Sequence, residues 1–322
     1  MHFDNLLFLT TGCVKKDKDQ CTLECDLGTD QFVFMKDHFF AGNCLLPGAV
    51  MLELLVETCS VINDNRNFPL LIDEFEIFRT ISVPVGKSTK IEVTAFKTDS
   101  GTFFAELRAD ALNADGKVVR KSKIVANAKI RFGIGDDRNN FKDLIFDATD
   151  GCKFSLGQDR FYQTFVKTHG ELFRSLTGNF WLSEDRMKLT CEFSIGNKEN
   201  HYHISEKNLS FLVSPLGIDS MLQMAVTCSV LNPISDQTYF FTKLPVRIDN
   251  LSIIEPICQH VAYFAEGIIT DNAEDTLLVR GTIRSVDTGS FIAKANKITL
   301  KKAPFEKMSK ESIDAALKKI QK

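Results

Sequence analysis

From Gly48 to Val56 the chain is apolar at almost every position, interrupted by Glu53 and followed by Glu57. A helix this uniformly apolar is surrounded by protein on most sides. The two glutamates, four apart, are expected to point to a gap in that wrapping. A second segment, Gly217 to Val230, places Ile218, Met221, Leu222, Ala225 and Val226 on one face at helical spacing. Around these helices the pattern alternates. Lys90 to Phe96 reads as a strand, Phe103 to Ala109 more loosely so, and Lys121 to Phe132 and Leu176 to Leu182 are further strands. Asp115-Gly116 and Asp287-Thr-Gly289 supply hairpin turns.

The two helical segments are echoes of one another. Gly48-Ala-Val-Met-Leu-Glu-Leu-Leu-Val-Glu-Thr-Cys-Ser-Val61 returns as Gly217-Ile-Asp-Ser-Met-Leu-Gln-Met-Ala-Val-Thr-Cys-Ser-Val230. Ile72-Asp-Glu-Phe-Glu-Ile77 returns as Ile248-Asp-Asn-Leu-Ser-Ile253, and Ser122 to Ile130 returns as Ser290 to Ile298. Three echoes in one order, at offsets of 169, 176 and 168 residues, point to an internal duplication. The expected architecture is α+β: one buried helix wrapped by an antiparallel sheet, built twice. The boundaries that follow are 1–135 for the first unit, 136–155 for a linker, 156–304 for the second unit and 305–322 for a terminal helix. The linker rests on the Gly- and Asp-rich stretch from Gly133 to Gly157. The terminal helix is amphipathic, with Ser309 as its cap.

Composition narrows the function. Of 322 residues, 44% are hydrophobic and 25% charged, a soluble globular balance. The formal net charge of −3 gives no basic excess for nucleic acid. No apolar run approaches the ~20 residues that cross a bilayer, and the N-terminus has no basic region before its short apolar run, unlike a signal peptide. Nine cysteines, an odd count without a Cys-x-x-Cys pair, fit buried thiols in a reducing cytoplasm. The 27 phenylalanines serve a core and the walls of an apolar tunnel.

Candidate chemistry sits ahead of each helix. His38-Phe-Phe-Ala-Gly42-Asn-Cys-Leu-Leu-Pro47 reads His-x-x-x-Gly-x-x-x-x-Pro. Histidine takes a proton near neutral pH, a glycine lets backbone approach a ligand, and the amino end of the helix at Gly48 can hold a developing oxyanion. In the second unit, Pro215-Leu-Gly-Ile-Asp219-Ser-Met-Leu-Gln223 puts Asp219, expected in the first turn, and Gln223 on one helix face. His169-Gly-Glu-Leu-Phe173-Arg174 is a third polar and aromatic cluster, in which Glu171 and Arg174 read as an ion pair or solvated charges. His201-Tyr-His203 has a spacing seen in metal sites but lacks a nearby acidic or thiol partner, so exposed strand residues are expected there and no metal.

These motifs resemble the dehydratase domains of polyketide and related fatty-acid synthases, the double hot-dog family. The first family signature is complete at His38, Gly42 and Pro47. The second is His-Pro-x-x-x-Asp-x-x-x-Gln/His, and here Ser214 replaces its leading histidine. The third, Tyr-Gly-Pro-x-Phe-Gln, is reduced to His169-Gly170 and Phe173. Leu244-Pro245 resembles the family's Leu-Pro strand. The resemblance implies removal of water from a 3-hydroxyacyl thioester on an acyl carrier protein, with no cofactor of its own. It implies His38 as the base, Asp219 as the acid and Gln223 as its orienting partner. Gly42 and Gly48 would polarise the thioester carbonyl, and Pro47, His169, Phe173 and Pro215 would line the substrate. Other synthase domains and a second copy, as a homodimer, are the implied partners. An acid role requires Asp219 to be protonated near neutral pH, so burial is expected to raise its pKa against the pull of the helix end. Two alternatives stand beside this: the same fold acting as a double-bond isomerase or product-template-like cyclase, and a non-catalytic acyl-carrier-binding module.

Overall fold

The structure, a computed structural model, describes residues 5–40, 42–63, 67–99, 101–133, 152–205, 208–232 and 239–309. The first unit opens with a short helix α1 (Leu7–Thr11), then β1 (Cys13–Lys16), β2 (Gln20–Gly28), β3 (Phe39–Phe40) and β4 (Asn43–Leu45). The buried helix α2 (Gly48–Ile62) follows, then β5 (Leu70–Ile77), β6 (Ser82–Pro84), β7 (Ser88–Asp99), β8 (Thr102–Leu112) and β9 (Val118–Phe132). The second unit has β10 (Cys152–Ser155), α3 (Gln158–Thr164), β11 (Leu176–Leu182), β12 (Lys188–Ser194) and the buried helix α4 (Pro215–Leu231). It closes with β13 (Tyr239–Ile253), β14 (Ala262–Asn272), β15 (Thr276–Ser285) and β16 (Phe291–Ser309).

Among the described residues, thirteen of the sixteen strands form one sheet in the order β1-β2-β7-β8-β9-β5-β13-β16-β15-β14-β12-β11-β10, so the two expected sheets are continuous, and β3, β4 and β6 form a small second sheet. The join is the antiparallel pair β5–β13, with Ile72 opposite Leu251 and Phe75 opposite Ile248. These are the strands whose sequences echo each other. Each half therefore meets the other through its own copy of the same edge, as a two-fold arrangement requires. Alternation decides which face is covered. Ile91, Val93 and Ala95 of β7 and Phe103, Ala105 and Leu107 of β8 are buried while most of their neighbours are not. Helix α2 packs against these strands and α4 against β12 to β16, and the two helices touch. Both are enclosed, as their composition predicts: Ala49 to Ser60 and Pro215 to Ala225 are buried without exception. This is the double hot-dog.

Several expectations change. Glu53 and Glu57 face no gap; both are fully buried. Glu57 accepts the backbone N–H groups of Phe8 and Leu9 at 2.9 and 3.1 Å, and Glu53 those of Leu212 and Val213 at 2.8 and 2.5 Å. Glu57 satisfies the amino end of α1 and Glu53 the irregular backbone ahead of α4, where an orphaned N–H is costly. The linker is shorter at its end, because β10 takes up Cys152–Ser155; residues 136–151 lie outside the described residues. The terminal helix does not begin at 305, since β16 pairs with β13 through Ser309; the rest of that segment lies outside the described residues. Tyr202 and His203 are buried rather than exposed strand residues, with His203 edge-on to Phe32 at 5.1 Å. Among the described residues no group of His, Cys, Asp or Glu is placed to hold a metal ion, and no helix is long and apolar enough to cross a membrane.

Candidate active site

His38 follows a 3-10 turn (Val33–Asp37) and starts the small hairpin of β3 and β4, which pairs with β6. Its carbonyl accepts the N–H of Leu45 at 2.8 Å, and its ring Nδ1 lies 3.2 Å from the Leu45 carbonyl. A carbonyl can only accept, so Nδ1 carries the hydrogen and Nε2 keeps its lone pair. Burial, reinforced by the neighbouring His169, pushes the His38 pKa down to about 4. The ring is therefore neutral at physiological pH, the form a base needs.

The second unit meets this hairpin directly. Phe39 donates its N–H to Thr168 at 2.9 Å, and His38 and His169 form a backbone bridge. The His169 ring stands edge-to-face against His38, centroids 4.9 Å apart and planes at 86°. Its Nε2 lies 3.1 Å from Asp219 Oδ2, and its Nδ1 lies 2.9 Å from the Thr168 hydroxyl. Gln223 donates to the same Asp219 oxygen at 2.6 Å and to the Phe173 carbonyl at 3.0 Å. Tyr162 of α3 donates its hydroxyl to Gln223 Oε1 at 2.8 Å and accepts the Leu176 N–H at 3.1 Å. The Gln223 amide thus has one orientation.

Asp219 is one turn into α4, not in its first turn. Burial pushes its carboxyl upward, but the charge and hydrogen bond of His169, with His38 and the Gln223 hydrogen bond, outweigh that and hold it below the ordinary value. The expected rise is thus reversed. The cause is a neighbour that the order of residues along the chain does not reveal.

His38, His169, Asp219 and Gln223 share the wall of a cavity of about 170 Å³. The rest of the wall is mainly apolar, from Leu45, Met51 and Ile77 of the first unit and Phe165, Leu222, Val226, Leu244 and Pro245 of the second. Gly48 also lines it, at an amino end of α2 that no side chain caps. A Cβ there would stand 2.8 Å from Ile77 Cδ1, so glycine lets β5 close over the helix end. The amino end of α4 is occupied instead: Ser214 accepts the Gly217 N–H and donates to buried Glu199, which also accepts the Leu216 N–H. That is the use of Ser214 where the family signature has histidine.

Four expected site residues are not part of the cavity wall. Gly42 is exposed on the turn between β3 and β4, where its φ of +88° calls for glycine. Pro47 and Pro215 are buried at the starts of α2 and α4. Phe173 is fully buried, its ring 5.8 Å from His38 and 5.9 Å from His169, bracing both imidazoles. Arg174 donates to the His169 carbonyl and pairs with Asp159 at 3.3 Å rather than with Glu171. Tyr162 and Thr168 were not foreseen. Phe161 and Tyr162 bury one face of a helix too short for its period to show.

Tyr162→Phe is expected to destabilise the protein by about 1–3 kcal/mol, because it orphans the Leu176 N–H and frees the Gln223 amide. A denaturant titration reads this. An unchanged midpoint would show that the hydroxyl carries no load.

A histidine from one half of a doubled hot-dog and an aspartate from the other, on one apolar cavity, define a double hot-dog dehydratase architecture. A family model described as polyketide synthase dehydratase domain matches residues 8–109, and one described as polyketide synthase dehydratase N-terminal domain matches residues 147–310. The chain belongs to the polyketide synthase dehydratase family. No protein with a curated description matches it. Among solved structures, the dehydratase domain from the CurJ module of curacin polyketide synthase is similar at 14% identity, covering 95% of this chain and 97% of that one with a TM-score of 0.69. The CurK dehydratase domain gives 15% identity, 93% and 99% coverage and a TM-score of 0.69. The dehydratase domain of PpsC from Mycobacterium tuberculosis, in complex with C12:1-CoA, gives 17% identity, 91% and 97% coverage and a TM-score of 0.64. At such identities the likeness establishes the fold.

Proposed function

We propose that this protein removes water from a 3-hydroxyacyl thioester carried on the phosphopantetheine arm of an acyl carrier protein, giving the 2-enoyl thioester. The observation that carries the reading is His38, its Nδ1 committed to the Leu45 carbonyl, on the same apolar cavity as Asp219. His38 Nε2 takes the proton next to the thioester carbonyl. The uncapped amino end of α2 at Gly48 polarises that carbonyl, in place of the Gly42 amide. Both hydrogen bonds to Asp219 end on Oδ2, which leaves Oδ1 for the substrate's hydroxyl. Gln223, fixed by Tyr162, orients the carboxyl. The elimination breaks the Cα–H and Cβ–O bonds with proton transfer alone to assist it, and no net change of oxidation state calls for a redox group. Inactive variants of the CurJ and CurK dehydratases are histidine-to-phenylalanine substitutions, which supports a histidine at the centre of the chemistry.

Incubation with 3-hydroxyacyl pantetheine thioesters, followed by mass spectrometry, tests the reading. Loss of water with formation of the 2-enoyl thioester is expected. Turnover that leaves the mass unchanged would point to isomerisation. Binding without turnover would leave only a carrier-binding module.

A further inference from the structure

We propose that His169 is a second catalytic residue: the proton that the departing hydroxyl takes comes from the hydrogen bond His169 shares with Asp219, not from Asp219 alone. The proposal rests on the dehydration reading above and changes the source of the acid.

The geometry argues against the simpler arrangement, in which Asp219 alone brings the proton. Gln223 donates to Asp219 Oδ2 at 2.6 Å, His169 Nε2 lies 3.1 Å from the same oxygen, and the two hold the carboxyl below its ordinary value. A carboxyl held in that way is stabilised as the anion. An anion has no proton to give. A titratable donor must therefore stand beside it, and His169 does, on the cavity wall and 8% exposed. This is also where the chain departs from its family's signature, with His169 in the tyrosine position of the Tyr-Gly-Pro element.

The two imidazoles divide the labour. With their rings 4.9 Å apart, one proton on the pair is favoured over two. The Asp219 carboxyl lies against His169, so the proton for the leaving group is shared there. His38 instead donates its Nδ1 hydrogen to a backbone carbonyl and remains neutral. Groups pushed apart in this way are an acid and a base. The other charged or titratable groups near His169 do not compete. Tyr162 is committed to Gln223, Arg174 donates to the His169 carbonyl, Asp37 accepts the Leu172 N–H, and Lys167 is exposed.

The step balances without a further reactant. His38 Nε2 takes the proton from the α-carbon, whose C–H electrons form the α–β double bond. The Cβ–O bond breaks with its pair going to oxygen. The proton held between His169 Nε2 and Asp219 Oδ2 joins that oxygen, and water leaves. His38 is then protonated and the His169–Asp219 pair one proton short; one proton passes back from His38 to that pair to reset the site.

The test separates the acid from the base by the leaving group. Wild type, His169→Gln and His38→Ala are assayed on 3-hydroxybutyryl and 3-chlorobutyryl pantetheine thioesters. Chloride departs without a proton. His169→Gln is expected to lose about 100-fold or more on the hydroxy substrate and under about 10-fold on the chloro substrate, which also shows that the variant is folded and its base intact. His38→Ala should lose both. Should His169→Gln melt early, His169→Asn serves in its place. If the His169 variant stays within about 10-fold of wild type on the hydroxy substrate, or a folded variant loses equally on both, the inference is overturned alone. A wild type that expels chloride but never water overturns the dehydration reading, and this inference with it.

Discussion

His38→Ala is expected to lower turnover of a 3-hydroxyacyl thioester by about 1000-fold or more, within the range that a positioned general base contributes. Of the other titratable side chains on the cavity wall, His169 is engaged at both ring nitrogens, Asp219 faces the hydroxyl side, and Lys167 is exposed. The fold should survive. The ring's one hydrogen bond to Leu45 is worth about 1 kcal/mol, so the melting transition should move little while the rate collapses. The pH dependence follows from the same environment. Burial and the neighbouring His169 lower the His38 pKa to about 4, so the base form persists far below the usual histidine range. The acid limb of kcat/KM is expected near pH 4 rather than near ~6.5. For stability, a folded pKa below the unfolded one means that the unfolded chain binds the proton first. This contribution is present above the unfolded value and is lost as the pH falls through about 4. A limb near the ordinary histidine value would show that the ring is solvated.

Glu53→Ala is expected to cost about 3–5 kcal/mol and to lower the melting temperature by roughly 10 °C. It strands the N–H groups of Leu212 and Val213 inside the protein and leaves a hole beside α2. Those two residues lead into Ser214 and the start of α4, so the first unit's helix fixes where the second unit's helix begins. Glu57→Gln is the contrast. It keeps an acceptor oxygen for Phe8 and Leu9 and removes one of two neighbouring carboxyls. Burial raises both glutamates, and each feels the other. The sign follows: the folded state holds their protons more tightly than the unfolded chain. Their contribution is complete below the unfolded carboxylate range and is lost as the pH rises through the raised folded values. Glu57→Gln should therefore leave neutral stability within about 1 kcal/mol and flatten the alkaline decline. Thermal melts from pH 5 to 9 read both effects. Equal melting of wild type and Glu53→Ala would remove the carboxyl from this role.

Much of the scaffold is legible in the order of residues. The apolar run after Gly48 and its echo after Gly217 identify α2 and α4 as enclosed helices, because a helix with few polar faces has nowhere else to go. Alternation locates β7, β8 and β9, and the duplication anticipates that β5 and β13 are equivalent. The meeting of Asp219 with Gln223 is legible for a similar reason: helical spacing puts the two on one face.

The remainder depends on contacts between distant segments. Glu53 and Glu57 look like breaks in an apolar face, because sequence shows the helix but not the backbone it must satisfy 159 or 49 residues away. The anionic preference of Asp219 depends on His169, 50 residues distant. Periodicity reports which face of a segment is buried. It does not report which charged or polar group of another segment meets that face, and the field at a buried carboxyl is set by that meeting. The chain alone determined the doubled scaffold and where its candidate side chains stand along it. Tertiary packing decided which oxygen each donor reaches, and therefore where the site's proton resides.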